Sequence, residues 1–576
     1  MNGLERFLSR PTAKPYRSGK LDPAVEPHIN QDGHINFAPG DIENPQEWST
    51  GRRYYITIVC VLMVVNATFA SSSPSGSIRG ISEYFQVSQV AAGLVITLFL
   101  LGYVAGPLIF APLSEFYGRR YIFYVSFVAY VAFNFLCAFA PNFGSLLVGR
   151  LLTGTFASAP LTNAPGVLAD IWDPVQRGNA MALFSMMTFV GPALGPVISG
   201  FLELTKGDHG WQWTFYVMIM FGGATAIPMF TIPETYPPVV LLNKARRLRA
   251  LDPEKYGHLI APAEAHGRSL ASVFRVALLR PWQILFDPIS FLVAIYVSVV
   301  YTLLYMLFSI YPIVFQEMRG WNSGVGELPL LGTVCGAVLG GSIVFYQSSR
   351  DRKAIEAGHP RKAEDRLPLA MLGGIVFAIS MFWFAWSANY NSVHWFVPTL
   401  AGVFLSTSFL LIFVSYLNYL TDTYLMYTAS AMAANTISRS ACGAAAPLFT
   451  NQMFKALGVG GGGSLVGGVA LLLAPIPFVF YKYGESIRVK SKFAPTKPAK
   501  AAAKSDDEEK QEGTGEKEAE TERNHTQDPL SSSSEESLEL GADYETTEEM
   551  ERRIQHRRRL EQEQMEKVKT KSDAGD

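Results

Sequence analysis

Charge is scarce in this chain of 576 residues. Asp, Glu, Lys and Arg supply 17% of the residues, hydrophobic residues supply 49%, and the formal net charge is −1. Mean hydropathy is +0.17 even though both ends are polar. A composition so apolar argues against a soluble multidomain protein and indicates one that crosses a membrane several times. The near-neutral balance gives no reason to expect a nucleic-acid partner.

Cysteine is equally scarce. The four cysteines are Cys60, Cys137, Cys335 and Cys442, and each falls inside an apolar run. They share no metal-ligand spacing, so we expect packing residues and neither a disulfide framework nor a metal site. No cofactor is expected.

A nucleotide-binding loop and an N-terminal leader are also missing. The glycine run 460–463, followed by Gly467 and Gly468, has no Lys-Ser/Thr and follows no strand, so it is not a phosphate-binding loop. Any transport must then draw its energy from an ion gradient. The first apolar run begins only after about fifty polar residues, which predicts no cleavable signal peptide.

What the chain does contain is a series of apolar runs, each long enough for a helix to cross a bilayer. We count twelve, at 54–73, 91–112, 121–140, 144–169, 179–203, 212–233, 288–312, 325–346, 367–387, 395–420, 427–451 and 463–483. The predicted fold class is therefore an all-α integral membrane protein with twelve transmembrane helices in two six-helix halves.

Five segments follow from this count. They are a flexible cytoplasmic arm at 1–53, a first half at 54–233, a cytoplasmic central loop at 234–287, a second half at 288–483 and a disordered cytoplasmic tail at 484–576. Lys and Arg concentrate in alternate links, which predicts that both termini are cytoplasmic.

The central loop contains a basic amphipathic stretch at 240–251. This pattern is typical of a helix that lies on the inner leaflet of the membrane.

Two arginines lie inside predicted spans, Arg150 in the fourth and Arg439 in the eleventh. An arginine in the membrane costs several kcal/mol unless it is paired or solvated, which marks both as candidate cavity residues. Each belongs to a row of small and polar residues at i, i+4 spacing on one face of its helix. Arg150 is the first residue of its row, and Arg439 follows Asn435 in the other.

The fifth span carries two Gly-Pro pairs, Gly191-Pro192 and Gly195-Pro196. The spacing of Gly191, Gly195 and Ser199 puts small residues on one face, where another helix can approach closely. A kinked packing helix and a flexing seam between two moving halves both remain open from the residues alone.

The link between spans two and three has the sequence Ala-Pro-Leu-Ser-Glu-Phe-Tyr-Gly-Arg-Arg at 111–120. Gly118 permits a tight turn. Glu115, Arg119 and Arg120 are close enough in sequence to form a charge network that breaks and re-forms between two states. A simple positive anchor would account for the arginines, although it would leave Glu115 unexplained.

These motifs resemble those of the major facilitator superfamily, and in particular its fungal twelve-span drug:proton antiporters, the group of multidrug-resistance and polyamine exporters. Residues 111–120 are similar to the family's loop motif but depart from it at Ala111, Glu115 and Phe116. Arg150 with Gly154 resembles the fourth-span motif. The stretch 191–196 resembles the fifth-span antiporter motif. The likeness covers about 44–485.

The resemblance implies the major facilitator fold and roles for several residues. Glu115 and Arg119 would latch the cytoplasmic ends of the halves, with Arg120 beside them and Asp170 as a third partner. Arg150 would take part in proton coupling. The two Gly-Pro pairs would supply a flexing seam. A monomer in the plasma membrane is implied, with protons, a small-molecule substrate and the bilayer as its partners.

The sequence offers no clear carboxylate in the middle of the membrane. Glu203, near the outer end of the fifth span, could approach Arg150 and is the nearest candidate for the proton carrier, and Asp170 is another candidate. The candidate cavity residues are aromatic, amide or cationic, and they are Asn163, Tyr301, Tyr305, Phe308, Asn418, Asn435 and Arg439. This set favours neutral or weakly cationic amphipathic molecules, bound by apolar area and stacking.

We therefore expect a proton-coupled exporter of amphipathic drugs, toxins or secondary metabolites, and no enzymatic activity. The alternatives are an exporter of polyamines or another defined metabolite, a nutrient importer, and a transport-dead receptor that signals through its long tail. The Gly-Pro pairs argue against the importer. A membrane enzyme is disfavoured because no span carries a cluster of His or carboxylates suited to catalysis.

Overall fold

The computed structural model describes residues 28–494, except for 30–33, 39, 174–175, 266–269, 358–361, 425–426 and 492. Twelve membrane-crossing helices are labelled here in chain order. The first half contains α1 (Thr50–Ser72), α2 (Gln89–Tyr117), α3 (Arg119–Ala138), α4 (Phe143–Ile171), α5 (Arg177–Lys206) and α6 (Gly210–Met229). The second contains α7 (Pro288–Tyr311), α8 (Leu331–Glu356), α9 (Pro368–Ala388), α10 (Phe396–Tyr424), α11 (Thr428–Leu473) and α12 (Ile476–Lys490).

The helix α11 contains a break that the sequence count had placed between two spans. Gly458 has φ +69° in the middle of Thr428–Leu473, and this conformation turns the chain. The residues after Gly458 continue through α12 and form the twelfth span. Within the described residues, nine helical stretches are long and apolar enough to cross a membrane, and two of them contain two spans each. With α4, which falls outside those nine, the twelve predicted spans are accounted for.

Shorter elements join these helices. A short helix, Ile78–Phe85, follows the 3-10 turn Ser73–Ser77, and a π-helical turn, Pro312–Met318, extends α7. The central loop holds four further helices, Pro237–Leu251, Pro253–Tyr256, Pro262–Ala265 and Leu270–Leu285. We call the end of the bundle with the Gly118 turn and this loop the loop face. The other end, with the turns after α1, α5 and α7, is the opposite face.

The halves repeat one packing scheme. In the first, α2 packs on α4, α1 on α5 and α3 on α6; in the second, α8 packs on α10, α7 on α11, and α9 on the chain after Gly458. Contacts between the halves run along α2 with α11 and along α5 with α8. This arrangement of repeats around a central seam is typical of secondary transporters.

Small residues set the closest helix contacts in both halves. In α2, Gly102 and Gly106 lie against the α4 backbone near Thr155 and against Ser158, where a Cβ would overlap those atoms. In α8, Gly332, Gly336 and Gly340 lie in the same way against α10. Without Cβ atoms the two backbones approach and gain dispersion contacts, which is the main source of helix association in lipid.

The described part of the arm is folded onto the central loop. His28–Ile29 pairs antiparallel with Ile35–Asn36, and the Ile35 amide donates to the Ile260 carbonyl at 3.0 Å. Ile35 enters a small apolar core whose other members are Leu241, Ala245, Leu248, Tyr256, Leu259 and Ala261. The arm was predicted to be flexible over 1–53. Residues 1–27 lie outside the described chain, whereas the segment after them packs.

This packing corrects the expectation that 240–251 lies on the membrane surface. The apolar side of Pro237–Leu251 is covered by the arm, with Leu241 and Leu248 buried under Ile35. Lys244 donates to Asp41, and both side chains are 1% exposed. Arg247 holds Glu43 through both carboxylate oxygens, at 2.6 and 2.7 Å. The sequence pattern was read as lipid-binding because it cannot show a partner about two hundred residues away.

The predicted tail also begins later than expected. The helix α12 continues to Lys490, and Arg488 donates to Glu364 at 2.9 Å with both side chains 9% exposed. The Ser491 hydroxyl donates to Asp287 at the start of α7. These contacts fix the chain past residue 484, and residues 495–576 of the predicted tail lie outside the described chain.

We predict that the arm depends on the buried ion pair between Lys244 and Asp41. Lys244→Met would leave the Asp41 carboxylate buried without its cation, at a cost of about 3 kcal/mol. The arm should then detach, so backbone amides of residues 34–48 should exchange hydrogen faster. Arg246→Met is the matched control, because Arg246 is exposed on the same helix. Equal exchange in both variants would contradict this account of the arm.

Candidate functional site

The buried arginine of α4 is held by backbone carbonyls at the end of α1. Arg150 is 0% exposed, and one terminal nitrogen donates to the Ala70 carbonyl at 2.9 Å and more weakly to that of Ser71 at 3.5 Å. Its Nε donates to the Val95 carbonyl of α2 at 3.0 Å. The guanidinium also stacks on the Phe99 ring, 4.2 Å from its centroid. Arg150 therefore ties α1, α2 and α4 together.

Pro74 explains why the Ala70 carbonyl of α1 is free to accept a hydrogen bond from Arg150. In a regular helix the Ala70 carbonyl would accept from the amide of residue 74, but residue 74 is proline and has no amide hydrogen. The α1 end is also the negative end of its helix dipole, which favours a nearby cation. A freed carbonyl and a buried cation satisfy each other, which removes much of the cost of an arginine in the membrane.

The same end of α1 contacts the second half. Tyr305 of α7 donates its hydroxyl to the Ser71 hydroxyl oxygen at 2.8 Å, and both residues are buried. The Tyr305 ring packs against Tyr301 at 5.2 Å and against Phe308 at 5.5 Å between centroids. Three predicted cavity residues thus form one aromatic layer beside Arg150, at the seam between the halves.

The second arginine has a different environment. Arg439 of α11 lies between two rings, 4.8 Å from the centroid of Phe413 and 5.2 Å from that of Tyr301. Its Nε and one terminal nitrogen are buried without a hydrogen-bond partner in the described chain. Both polar atoms of the Asn435 side chain, one helical turn away, are also buried and unpartnered there. Buried groups of this kind are costly unless a ligand or water meets them.

Phe413 brings the two halves together at this point. Its ring lies edge-on to Phe189 of α5, with 5.3 Å between centroids. The central cleft, as we use the term, is a set of side chains that are all buried at this seam in the present conformation, namely Phe189, Tyr301, Tyr305, Phe413, Asn435 and Arg439. It combines apolar area, stacking faces, and donors and acceptors that have no partner within the described protein.

Two predicted cavity residues lie away from the central cleft. The Asn163 carbonyl oxygen accepts from the Ser114 hydroxyl at 2.9 Å, which places it between α2 and α4 near the loop face. Asn418 is half-buried on α10, more than a turn from Phe413 toward the loop face. The sequence could place both residues in spans but could not give the depth or direction of their side chains.

The Gly-Pro pairs of α5 pack against α1 within the first half. A Cβ at Gly191 would overlap Thr68, and one at Gly195 would overlap Ser72 and Ser73. The Ser72 hydroxyl donates to the Pro192 carbonyl at 2.7 Å. That carbonyl lacks its helical donor because residue 196 is also a proline. The predicted close approach is therefore present, and its partner is α1.

The loop motif forms a dense network at the start of α3. The Arg119 side chain donates to the Ser114 hydroxyl at 2.7 Å and reaches Asp170 of α4 at 3.4 Å. It also lies over the Tyr236 ring, and Glu115 adds electrostatic attraction. Arg120 donates to the Tyr124 hydroxyl at 2.9 Å. These partners of Arg119 and Arg120 all belong to the first half or to its exit into the loop, so in this conformation the two arginines brace one half.

Glu234 is the residue of this network that the sequence analysis missed as a site. One carboxylate oxygen accepts from the Arg119 amide at 2.9 Å, and the other accepts from the Arg120 amide at 3.2 Å. Gly118 has φ +94°, and a Cβ there would overlap the Glu234 carboxylate. Burial raises the pKa of the Glu234 carboxyl, and the amides that donate to it oppose that rise. The signal in the sequence was an acidic residue directly after the sixth span.

The predicted approach of Glu203 to Arg150 is absent. The Glu203 carboxylate lies against Gly80 and Gly210, at the opposite face, where a Cβ on either glycine would overlap it. Arg150 instead uses the carbonyls of α1 and α2. Another carboxylate at this face, Glu327 in the turn before α8, is fully buried and was not singled out from the sequence, although it interrupts an apolar run.

Comparison with known proteins identifies the family. The model for the Major Facilitator Superfamily matches residues 58–447. The chain belongs to the major facilitator superfamily. The proton:xylose symporter XylE of E. coli, solved with 6-bromo-6-deoxy-D-glucose, superimposes with a TM-score of 0.54 at 16% identity, over 76% of this chain and 96% of XylE. That likeness supports the fold alone.

Similar proteins of known name come from fungi. "Efflux pump FUB11" of Gibberella moniliformis is 43% identical over 463 residues, which are 80% of this chain and 77% of the relative. "Major facilitator superfamily multidrug transporter mdrA" of Aspergillus fumigatus is 38% identical over 80% of this chain and 76% of the relative. "MFS-type efflux pump MFS2" of Trichophyton rubrum is 37% identical over 86% and 84%.

We predict that Arg150 stabilises the first half by holding the end of α1. Arg150→Ala would leave a buried carbonyl unsatisfied and a cavity beside Phe99, which should lower the free energy of unfolding by about 3 kcal/mol. Thermal unfolding of the purified protein measures this, and Arg79→Ala, at an exposed ion pair with Glu83, is the control. A melting temperature that is unchanged in Arg150→Ala would contradict the assignment.

The contact between α1 and α5 gives a second prediction. Gly191→Ala and Gly195→Ala force Cβ atoms into α1 and should destabilise the protein by about 1–3 kcal/mol each. Gly223→Ala is the control, since a Cβ at that position of α6 meets nothing within 4 Å. If the α5 variants have the same melting temperature as Gly223→Ala, the two glycines are not required for this packing.

Proposed function

We propose that this chain is a proton-coupled secondary efflux transporter that moves amphipathic small molecules across the plasma membrane by alternating access. The observation that carries the proposal is the central cleft. It lies at the seam between two repeat-like halves, and Arg439 and Asn435 present unpartnered polar atoms there between aromatic rings. The names of the similar fungal proteins support efflux as the direction.

The cleft also bears on the chemistry of the substrate. A guanidinium without a carboxylate partner attracts acceptors such as carbonyl or carboxylate oxygens and repels cations. Phe413, Phe189 and Tyr301 offer apolar area and ring faces. We therefore propose neutral or acidic amphipathic molecules as substrates, whereas the sequence alone favoured neutral or weakly cationic ones. A polyamine, with several positive charges, fits the cleft poorly.

Proton coupling and orientation complete the proposal. The sequence contains no nucleotide-binding loop, so a gradient must supply the energy. The positively charged links indicate that the loop face is cytoplasmic and that the opposite face is external. The network of Arg119, Asp170 and Glu234 then lies at the cytoplasmic end, where a switch between two arrangements would accompany movement of the halves.

We predict that cells lacking their own pumps accumulate less Nile red, a neutral amphipathic dye, when they express this protein, and that an uncoupler removes the difference. Arg439→Gln should weaken export of anionic carboxyfluorescein more than that of Nile red. Lys455→Gln, at an exposed position of the same helix, should leave export of both dyes unchanged.

The contrary outcomes are equally specific. A correctly placed protein that changes neither dye would contradict amphipath export. Export of radiolabelled spermidine in that case would favour the polyamine alternative. Stronger export of cationic rhodamine 6G than of the other dyes would contradict the role given to Arg439.

A further inference from the structure

A fully buried carboxylate lies in the turn that leads into α8. Glu327 belongs to the 3-10 turn Val325–Leu330 at the opposite face and is 0% exposed. One carboxylate oxygen accepts from the Gln316 side-chain amide at 2.9 Å. The other oxygen is buried without a hydrogen-bond partner in the described chain. Gln316 is neutral, so this contact does not compensate a negative charge.

The charged and titratable groups described on the elements packed against this turn contact residues other than Glu327 or face solvent. Arg319 donates to the Val393 and Tyr390 carbonyls, Lys206 lies over the Trp213 ring, Glu203 lies against Gly80 and Gly210, Tyr305 bonds to Ser71, the Tyr311 hydroxyl lies against Gly402, and Glu317 is exposed. No cation among the described residues forms an ion pair with Glu327.

The other half of the protein covers this carboxyl. Gly200 of α5 lies directly over it, and a Cβ there would lie 2.9 Å from the Glu327 Cγ and 2.5 Å from the Ser323 carbonyl oxygen. The Ser323 hydroxyl donates to the Gly200 carbonyl at 3.3 Å. Contact between the halves at this point helps to bury Glu327, so separation of the halves there would expose the carboxyl to water.

We propose that Glu327 is a proton-binding site whose protonation holds the two halves closed at the opposite face. An ionised carboxylate buried without a cation is costly, whereas a neutral carboxyl is tolerated beside the Gln316 amide. The closed state therefore binds the proton more tightly than the open state. By linkage, the proton must stabilise the closed state by the same factor.

The step itself is a proton exchange with water. When Ser323 separates from Gly200, water reaches Glu327, the O–H bond breaks and the proton passes to that water. Closure requires the carboxyl to take a proton back. Under the proposed function, on which this part rests, the opposite face is external, so proton binding there would close the carrier after it has released its substrate.

The direct test follows the opening of this face as the pH changes. Spin labels are placed at Asp208→Cys and Ser392→Cys, two exposed positions on the opposite face in different halves, after the four native cysteines are replaced. In this doubly labelled protein, called the parent below, pulsed electron paramagnetic resonance should show that the distance between the two labels lengthens as the pH rises. The reason is that the ionised Glu327 carboxylate disfavours closure. E327Q mimics the protonated carboxyl and should stay at the short distance throughout.

Two further variants separate titration from packing. E317Q removes an exposed carboxylate ten residues away and should open with the parent's pH dependence. E327D keeps a titratable group and should also open with pH, even if E327Q is poorly folded. The proposal is overturned if the parent shows no pH-dependent opening, if E327Q opens over the same range as the parent, or if E327D is locked in the short-distance state.

A transport measurement distinguishes this proposal from the proposed function. In vesicles, E327Q should lose both the Nile red transport that a proton gradient drives and the exchange of Nile red down its own gradient, because its opposite face stays closed. E317Q should keep both. If the parent shows no gradient-driven transport, and its pH-dependent opening is absent in E327Q, the proposed function is wrong but the assignment of Glu327 as a proton-binding site is supported. If E327Q matches the parent in opening and in gradient-driven transport, the site fails and the function stands.

Discussion

The hydrogen bond between Arg150 and the Ala70 carbonyl is the interaction on which the first half depends. Pro74 withholds the amide that would otherwise close the last turn of α1, and the buried guanidinium takes its place. A similar hydrogen bond stabilises α5. The neighbouring Ser72 hydroxyl donates to the Pro192 carbonyl, which has no helical donor because residue 196 is a proline. In lipid, where water cannot satisfy such groups, prolines and polar side chains have to be matched in this manner. The end of α1 thereby joins α2, α4 and α5.

The second half contacts the first at several points along the seam, of which the end of α1 is one. Tyr305 bonds to Ser71, Glu327 lies beneath Gly200, and Arg439 stands near the Phe413–Phe189 contact with part of its guanidinium unpartnered. At the end of α1, Arg150 and Ser72 satisfy carbonyls that prolines leave free. At the seam, Arg439, Asn435 and Glu327 keep buried polar atoms that have no partner in the described chain. A substrate or a proton that bound at the seam, as we propose, would change the balance between closed and open arrangements, which is the thermodynamic requirement for coupled transport.

Much of this could be predicted from the sequence because lipid imposes simple rules. Apolar length gave twelve spans, glycine spacing predicted close helix contacts, and an arginine in a span predicted a special environment at residue 150. The sequence could not identify the partner of Arg150, because that partner is a backbone carbonyl. It could not predict the arm on the central loop, because Asp41 and Lys244 are about two hundred residues apart and their pairing is tertiary. Glu327 was missed because a carboxylate near the end of a span looks exposed until the opposing half is in place.

The central claim is that the halves must separate at the opposite face for export to occur. Gly93 of α2 and Pro447 of α11 test it most directly, since a Cβ at Gly93 would lie 3.5 Å from the Pro447 Cβ, which suits a disulfide. With both positions changed to cysteine and the native cysteines removed, oxidation should stop Nile red export and a reductant should restore it. Each single-cysteine variant should export regardless of oxidation. Full export by the oxidised, cross-linked protein would show that this face does not open during transport and would contradict the account.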